Sequence, residues 1–136
     1  MDRILEKLRS LYGDKADIIY PEINNIINNF QNKKIREEEL TEKDVVLITY
    51  GDQFRGDDKY LRYLKRFCDE FFKGYINTIH ILPFFPYSSD DGFSVIDYRK
   101  VKEDLGDWED IEDLSKDYKL MFDFVCNHIS SKSEWF

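Results

Sequence analysis

The sequence predicts an α/β chain: a helical N-terminal stretch, then three parallel strands with connecting helices. Three observations predict it. Val45–Tyr50, Tyr75–Leu82 and Leu120–Cys126 are apolar runs of strand length. The segments between them, 57–73 and 107–118, space their apolar residues for a helix. Strand, helix, strand, long loop, helix, strand is an order that implies parallel pairing through right-handed crossovers.

Each element has a local reason. Over residues 2–12, Ile4, Leu5, Leu8 and Leu11 fall at helical spacing, and Gly13 suits the stop. Pro21 is placed to open a second helix, because its fixed φ and missing N–H are tolerated in a first turn. Ile23, Ile26, Ile27 and Phe30 share a face there, opposite Asn24, Asn25, Asn28 and Asn29. Asparagine is a weak helix former, so this helix is expected to depend on docking. Residues 31–44 are dense in charge and read as a solvated linker. Domains of 1–44 (helical extension and linker) and 45–136 (barrel portion) follow.

From Val45 the pattern changes. Gly51-Asp52 ends the first β-branched run. Tyr60, Leu61, Leu64, Phe67, Cys68, Phe71 and Phe72 form a broad helical stripe, which Gly74 stops. Trp108, Ile111, Leu114 and Tyr118 give the last helix one apolar face. Continuously apolar strands fit a sheet covered on both faces. The chain ends soon after the third strand, leaving Trp135 and Phe136 little to pack against, as expected of a barrel cut off early.

Composition excludes several classes. In 136 residues, 16% are aromatic, which argues for a folded chain. Twenty basic residues against 28 acidic ones give a net charge of -8, a field that repels phosphate backbones and disfavours nucleic acid as a partner. No apolar run approaches a membrane span, and the charged N-terminus lacks the apolar stretch of a signal peptide, so the cytoplasm is the expected compartment. Cys68 and Cys126 have no C-x-x-C spacing and read as buried, reduced thiols. With His80 and His128 the only histidines, no zinc site is expected.

The most informative stretch is 79–98. Its strand stops at Pro83, which cannot donate to a ladder, and an aromatic, acidic, glycine-containing loop follows. Barrels of alternating strands and helices place their chemistry at such strand ends. The third strand likewise ends in Asn127-His128. Each residue also has a bland reading. Asp90-Asp91-Gly92 is an ordinary turn, Phe93 a core residue, Asn127 a strand-end turn, and His80 and His128 structural histidines. Asp123 within an apolar run is harder to dismiss, since a buried carboxylate needs partners.

Taken together, Val46-Leu47-Ile48-Thr49-Tyr50-Gly51-Asp52, His80-Ile81-Leu82-Pro83-Phe84-Phe85 and Asp90-Asp91-Gly92-Phe93-Ser94-Val95-Ile96-Asp97-Tyr98 resemble the sucrose phosphorylase branch of the α-amylase superfamily, glycoside hydrolase family 13. Lys102-Glu103-Asp104-Leu105-Gly106-Asp107-Trp108 extends the likeness. Asp123-Phe124-Val125-Cys126-Asn127-His128 resembles that superfamily's D-x-x-x-N-H signature. The helical extension is similar to that of members acting on glucosylglycerate or phosphorylated sucrose.

The resemblance implies a partial (β/α)8 barrel, comprising the first three strands, and enzymes that cleave an α-glucoside with retention and pass glucose to phosphate. The family's reacting carboxylates stand on its fourth, fifth and seventh strands, so no residue here is cast as catalytic and the isolated chain is expected to be inactive. Asp90, Phe93 and His128 match positions that contact glucose, through a carboxylate, an aromatic face and a donated hydrogen bond. Asp97, Tyr98, Asp123 and Asn127 match supporting positions. No cofactor or metal is implied. Exposed strand edges would favour self-association. A small sugar- or partner-binding α/β module without catalysis is the alternative. A complete doubly wound nucleotide enzyme ranks last, because Tyr50 to Gly56 lacks the G-x-G-x-x-G spacing.

Overall fold

A computed structural model describes residues 2–31 and 40–136. They fall into two units, one within Met1–Glu39 and one over Leu40–Phe136. The linker expected over 31–44 lies mostly outside the described residues. Among the described residues no helix is long and apolar enough to cross a membrane.

The first unit is a helical hairpin of α1 (Arg3–Tyr12) and α2 (Ala16–Gln31), joined by a 3₁₀ turn at Gly13–Lys15. Asp2 caps α1, its carboxylate accepting from the Ile4 N–H at 2.9 Å. Arg9 and Asp17 pair at 3.0 Å across the turn. Contrary to the sequence expectation, Pro21 does not open α2: the helix begins at Ala16 and runs through it. Proline removes one N–H bond in the second turn of that helix, a cost that packing against α1 offsets. Leu11 and Ile18 remain exposed.

In the second unit the strands are β1 (Val46–Thr49), β2 (Thr78–Ile81) and β3 (Lys119–Phe122). They lie in the order β1-β2-β3, all parallel. Rows run straight across the sheet: Ile48 beside His80 beside Met121, and Leu47 beside Ile79 beside Leu120. Helices α3 (Tyr60–Phe67) and α4 (Trp108–Ser115) form the crossovers. Right-handed crossovers between strands added in one direction put both helices on the same side. The core lies there, built by Leu61, Leu64, Ile79, Ile81, Phe84 and Leu114, each at most 1% exposed. Each such side chain contributes about 1.5–3 kcal/mol by leaving water.

The other face of the sheet is open, contrary to the expectation of two covered faces. Val46, Ile48 and Met121 are 42%, 62% and 47% exposed. The strands are also shorter than their apolar runs. The amides of Tyr75 and Ile76 bond back to the Phe72 carbonyl at 2.9 and 3.1 Å, so these residues close the preceding helix rather than start β2. That helix ends in a wider π-turn, Cys68–Phe72, with Gly74 beyond it at φ 87°. β3 stops at Phe122 because its partner β2 runs into Pro83, which has no N–H for a ladder. Asp123 to Cys126 therefore form a loop, and Cys126 is exposed rather than a buried strand residue.

Two aromatic expectations also change. Trp108 stands 44% exposed at the start of α4, its indole N–H donating to the Arg99 carbonyl at 2.8 Å. Trp135 does find partners: it stacks on Tyr98 with ring centroids 6.0 Å apart, and the Arg99 guanidinium lies over it at 4.9 Å.

Candidate functional site

Parallel strands bring their C-terminal ends to one rim, and the loops that leave β2 and β3 meet there. The loop after β2 turns sharply at Asp90–Gly92, where Phe93 N–H donates to the Asp90 carbonyl at 2.9 Å. Asp90 and Asp91 both take positive φ, 59° and 47°, followed by Gly92 at 106°. Aspartate tolerates this region better than other side chains, and glycine adopts it freely. A Cβ at Gly92 would stand 2.6 Å from the Pro83 carbonyl oxygen, so the loop folds directly back onto the strand end.

The structure brings Asp90, Phe93 and His128 to this one rim. His128 Nε2 lies 2.9 Å from the Phe93 carbonyl oxygen, joining the two loops. A carbonyl only accepts, so Nε2 carries the proton. The other ring nitrogen, Nδ1, accepts a hydrogen bond in the neutral ring and donates only in the charged one. Asp90 and His128 are exposed, and Phe93 is half-buried.

The supporting residues divide. Tyr98 donates its phenol to the Val125 carbonyl, with the His128 carbonyl 3.3 Å away, and so ties down the β3 loop from beneath. Burial raises its phenol pKa. Asp97 turns instead toward its own loop, accepting from the Arg99 amide at 2.9 Å and its guanidinium at 3.1 Å. The Arg99 backbone N–H, then its side chain, lowers the Asp97 pKa. Asp123 meets the ring of His80, Oδ2 to Nε2, at 3.0 Å. Asn127 is exposed, in a shallow cleft with Tyr98, Phe124 and His128. Shared strand parity does not link Asp123 to Asn127, because β3 ends before both.

A second cleft, of about 240 Å³, opens between the β1 and β2 loops. Tyr50, Asp52, Arg55, Tyr87, Asp91 and Lys102 are among its lining residues. Its two cations are engaged: Arg55 holds Asp52 at 2.5 Å, and Lys102 pairs with Asp104. Among the described residues no three His, Cys, Asp or Glu side chains group to hold a metal ion.

Sequence reading missed three anchors. In the sequence His80 reads as a structural histidine without a partner; its row with Met121 puts it on the side from which Asp123 departs, a signal available only once register is known. Ser88 and Ser130 bond through their hydroxyls at 2.6 Å, and no motif marks them.

A one-layer parallel βα sheet with its polar side chains gathered at the C-terminal rim is the architecture of βα-barrel enzymes. Residues 25–136 match the family described as "Alpha amylase, catalytic domain", and the chain belongs to the α-amylase family. It is 43% identical over 134 residues to glucosylglycerate phosphorylase of Allomeiothermus silvanus, covering 98% of this chain and 24% of that protein. It is 52% identical over 102 residues to glucosylglycerate phosphorylase of Escherichia coli, covering 74% of this chain and 18% of that protein. With sucrose phosphorylase of Streptococcus mutans it shares 42% over 91 residues, 67% of this chain and 18% of that one. The chain thus spans about a fifth to a quarter of the length of these curated relatives.

Among solved structures it is similar to sucrose 6F-phosphate phosphorylase from Thermoanaerobacter thermosaccharolyticum, with a TM-score of 0.65 and 32% identity over 73% of this chain and 20% of that one. An isomaltulose synthase variant from Erwinia rhapontici, solved with its natural substrate sucrose, gives a TM-score of 0.61 and 27% identity over 75% of this chain and 20% of that one. The three strands and their crossover helices are part of a (β/α)8 barrel.

Proposed function

We propose that this chain forms the opening part of a retaining α-glucoside phosphorylase, and that its rim supplies one wall of the glucose-binding subsite. The observation that carries this reading is the 2.9 Å contact between His128 and the Phe93 carbonyl, which closes the β2 and β3 loops around one edge. Asp90 offers a carboxylate to sugar hydroxyls, where a charge-assisted hydrogen bond is strongest. Phe93 offers a ring to the sugar's apolar face. His128, with Nε2–H held by Phe93, accepts from a hydroxyl through Nδ1 in its neutral ring, rather than donating to one as the resemblance implies. Tyr98 and Asp123 hold the β3 loop, Asp97 shapes the other, and Asn127 lies beside His128.

In the whole protein, a carboxylate attacks the anomeric carbon with inversion and a carboxylic acid protonates the leaving oxygen. Phosphate then displaces the enzyme from the opposite face, so configuration is retained overall and glucose 1-phosphate leaves. Glucosylglycerate and sucrose are the substrates suggested by what the relatives are named for. The rim described here binds and orients the glucose; it moves no proton of the reaction. The chain alone is therefore expected to release no glucose 1-phosphate from either glucoside.

Titration of glucose 1-phosphate into the isotopically labelled chain tests the reading. Amide shifts confined to residues 88–98 and 123–130, lost in Asp90→Asn, are expected. Shifts absent, or scattered over α3 and α4, would remove the sugar assignment.

A further inference from the structure

His80 sits in the middle of β2, in the row with Ile48 and Met121 on the face turned away from α3 and α4. Two residues past Met121, the chain leaves β3 and presents Asp123 to that ring, with Nε2 and Oδ2 3.0 Å apart. The two side chains are only 18% and 26% exposed. A carboxylate this shielded gains a partner here that water supplies poorly.

The position of this contact matters more than its strength. Beyond Phe122 no ladder fixes the chain, and residues 123–130 are held by separate polar contacts. Tyr98 engages the Val125 and His128 carbonyls, the Phe93 carbonyl engages the His128 ring, and Val95 and Ser88 engage Ser130. Every one of those partners belongs to the long loop after β2. Such contacts fix one loop to another. Of these side-chain contacts, only His80 reaches the segment from within a strand, and it does so at the segment's first residue.

We propose that His80 is a positioning residue that, through Asp123, sets the 123–130 loop against the rigid sheet and so fixes where His128 stands at the rim. The consequence for sugar binding rests on the function proposed above. The positioning itself can be measured without sugar.

The test uses the full labelled chain with His80→Leu, which deletes the donor, and His80→Gln, whose side-chain amide can still donate. Amide exchange over 124–130 is compared with 78–81 as internal reference, and the His128 ring nitrogens are followed by ¹⁵N spectroscopy. In His80→Leu, exchange over 124–130 is expected to accelerate about tenfold relative to 78–81, the size of one lost charge-assisted hydrogen bond. The His128 Nε2–H signal should shift or broaden, and His80→Gln should recover most of both changes. Exchange within about twofold of the parent, equal acceleration over 78–81, or a Gln variant no better than Leu would each overturn the proposal. If His80→Leu does not fold, Asp123→Asn, which keeps an acceptor, and Asp123→Ala replace it. Asn near the parent and Ala loosened supports the proposal; equal behaviour of the two overturns it. A parent chain that ignores glucose 1-phosphate but shows the exchange pattern removes the sugar reading and leaves this one standing.

Discussion

Asp90, Asp91 and Gly92 are three successive residues with positive φ, and together they reverse the chain within a few ångströms of the end of β2. Each L-residue in that region carries strain that a better-placed contact must offset. Gly92 has no alternative, since a methyl group there would meet the Pro83 carbonyl oxygen at 2.6 Å. Gly92→Ala is expected to lower stability by about 2 kcal/mol or more and to displace Asp90. Asp91→Gly should be neutral or slightly stabilising, because it relaxes the turn without removing a backbone hydrogen bond that holds it. Urea denaturation of both variants checks this, and equal midpoints would contradict the backbone geometry. At this scale the sequence was legible as a turn, since Asp-Asp-Gly favours one. The left-handed Asp90 was not legible, because it follows from the Phe93–Asp90 backbone bond and the nearby strand end, not from residue type.

Among the elements, the three strands are stapled at their N-terminal ends by two side chains. Asp44 accepts from the Thr41 amide at 2.7 Å and from the Asn77 side chain at 2.6 Å, with Lys119 Nζ 3.6 Å away. Asn77 in turn accepts from the Val45 amide at 3.1 Å, and its carbonyl receives the Lys119 amide at 2.8 Å. The Thr41 backbone N–H, then the Asn77 amide, hold the Asp44 carboxyl at about 2, below its ordinary 3.8. A depressed carboxyl stabilises the fold above its unfolded pKa, and that contribution is lost as pH falls from 3.8 towards 2. Asp44→Asn should therefore be less stable than the parent at neutral pH and show a shallower loss of stability on acidification over that range. Parallel slopes in urea midpoints against pH would refute the assignment. Existence and order of these strands could be read from their β-branched runs. Their ends could not, because Tyr75 and Ile76 are captured by the Phe72 carbonyl and β3 depends on how far β2 continues.

For the molecule as a whole, the asymmetry of the sheet dominates. One face is packed by α3 and α4, and the other presents Val46, Ile48 and Met121 at 42%, 62% and 47% exposure. Exposed apolar side chains on an uncovered sheet face favour association. The chain is expected to bind a hydrophobic dye and to sediment with a concentration-dependent mass. Ile48→Thr with Met121→Lys should reduce both at little cost in stability, since neither side chain is in the core. A strictly monomeric parent that binds no dye would contradict this. Crossover order predicted the parallel sheet, yet continuous apolar strands suggested cover on both sides; hydrophobic content alone does not reveal on which side the helices fall. The contrast between the two thiols has a practical consequence. Burial pushes the Cys68 thiol up to about 11, while Cys126 stands in the open next to Asn127 and His128. A maleimide fluorophore added to the unmodified chain is expected to attach at one place only, and its emission will report on changes at the rim without any engineered cysteine.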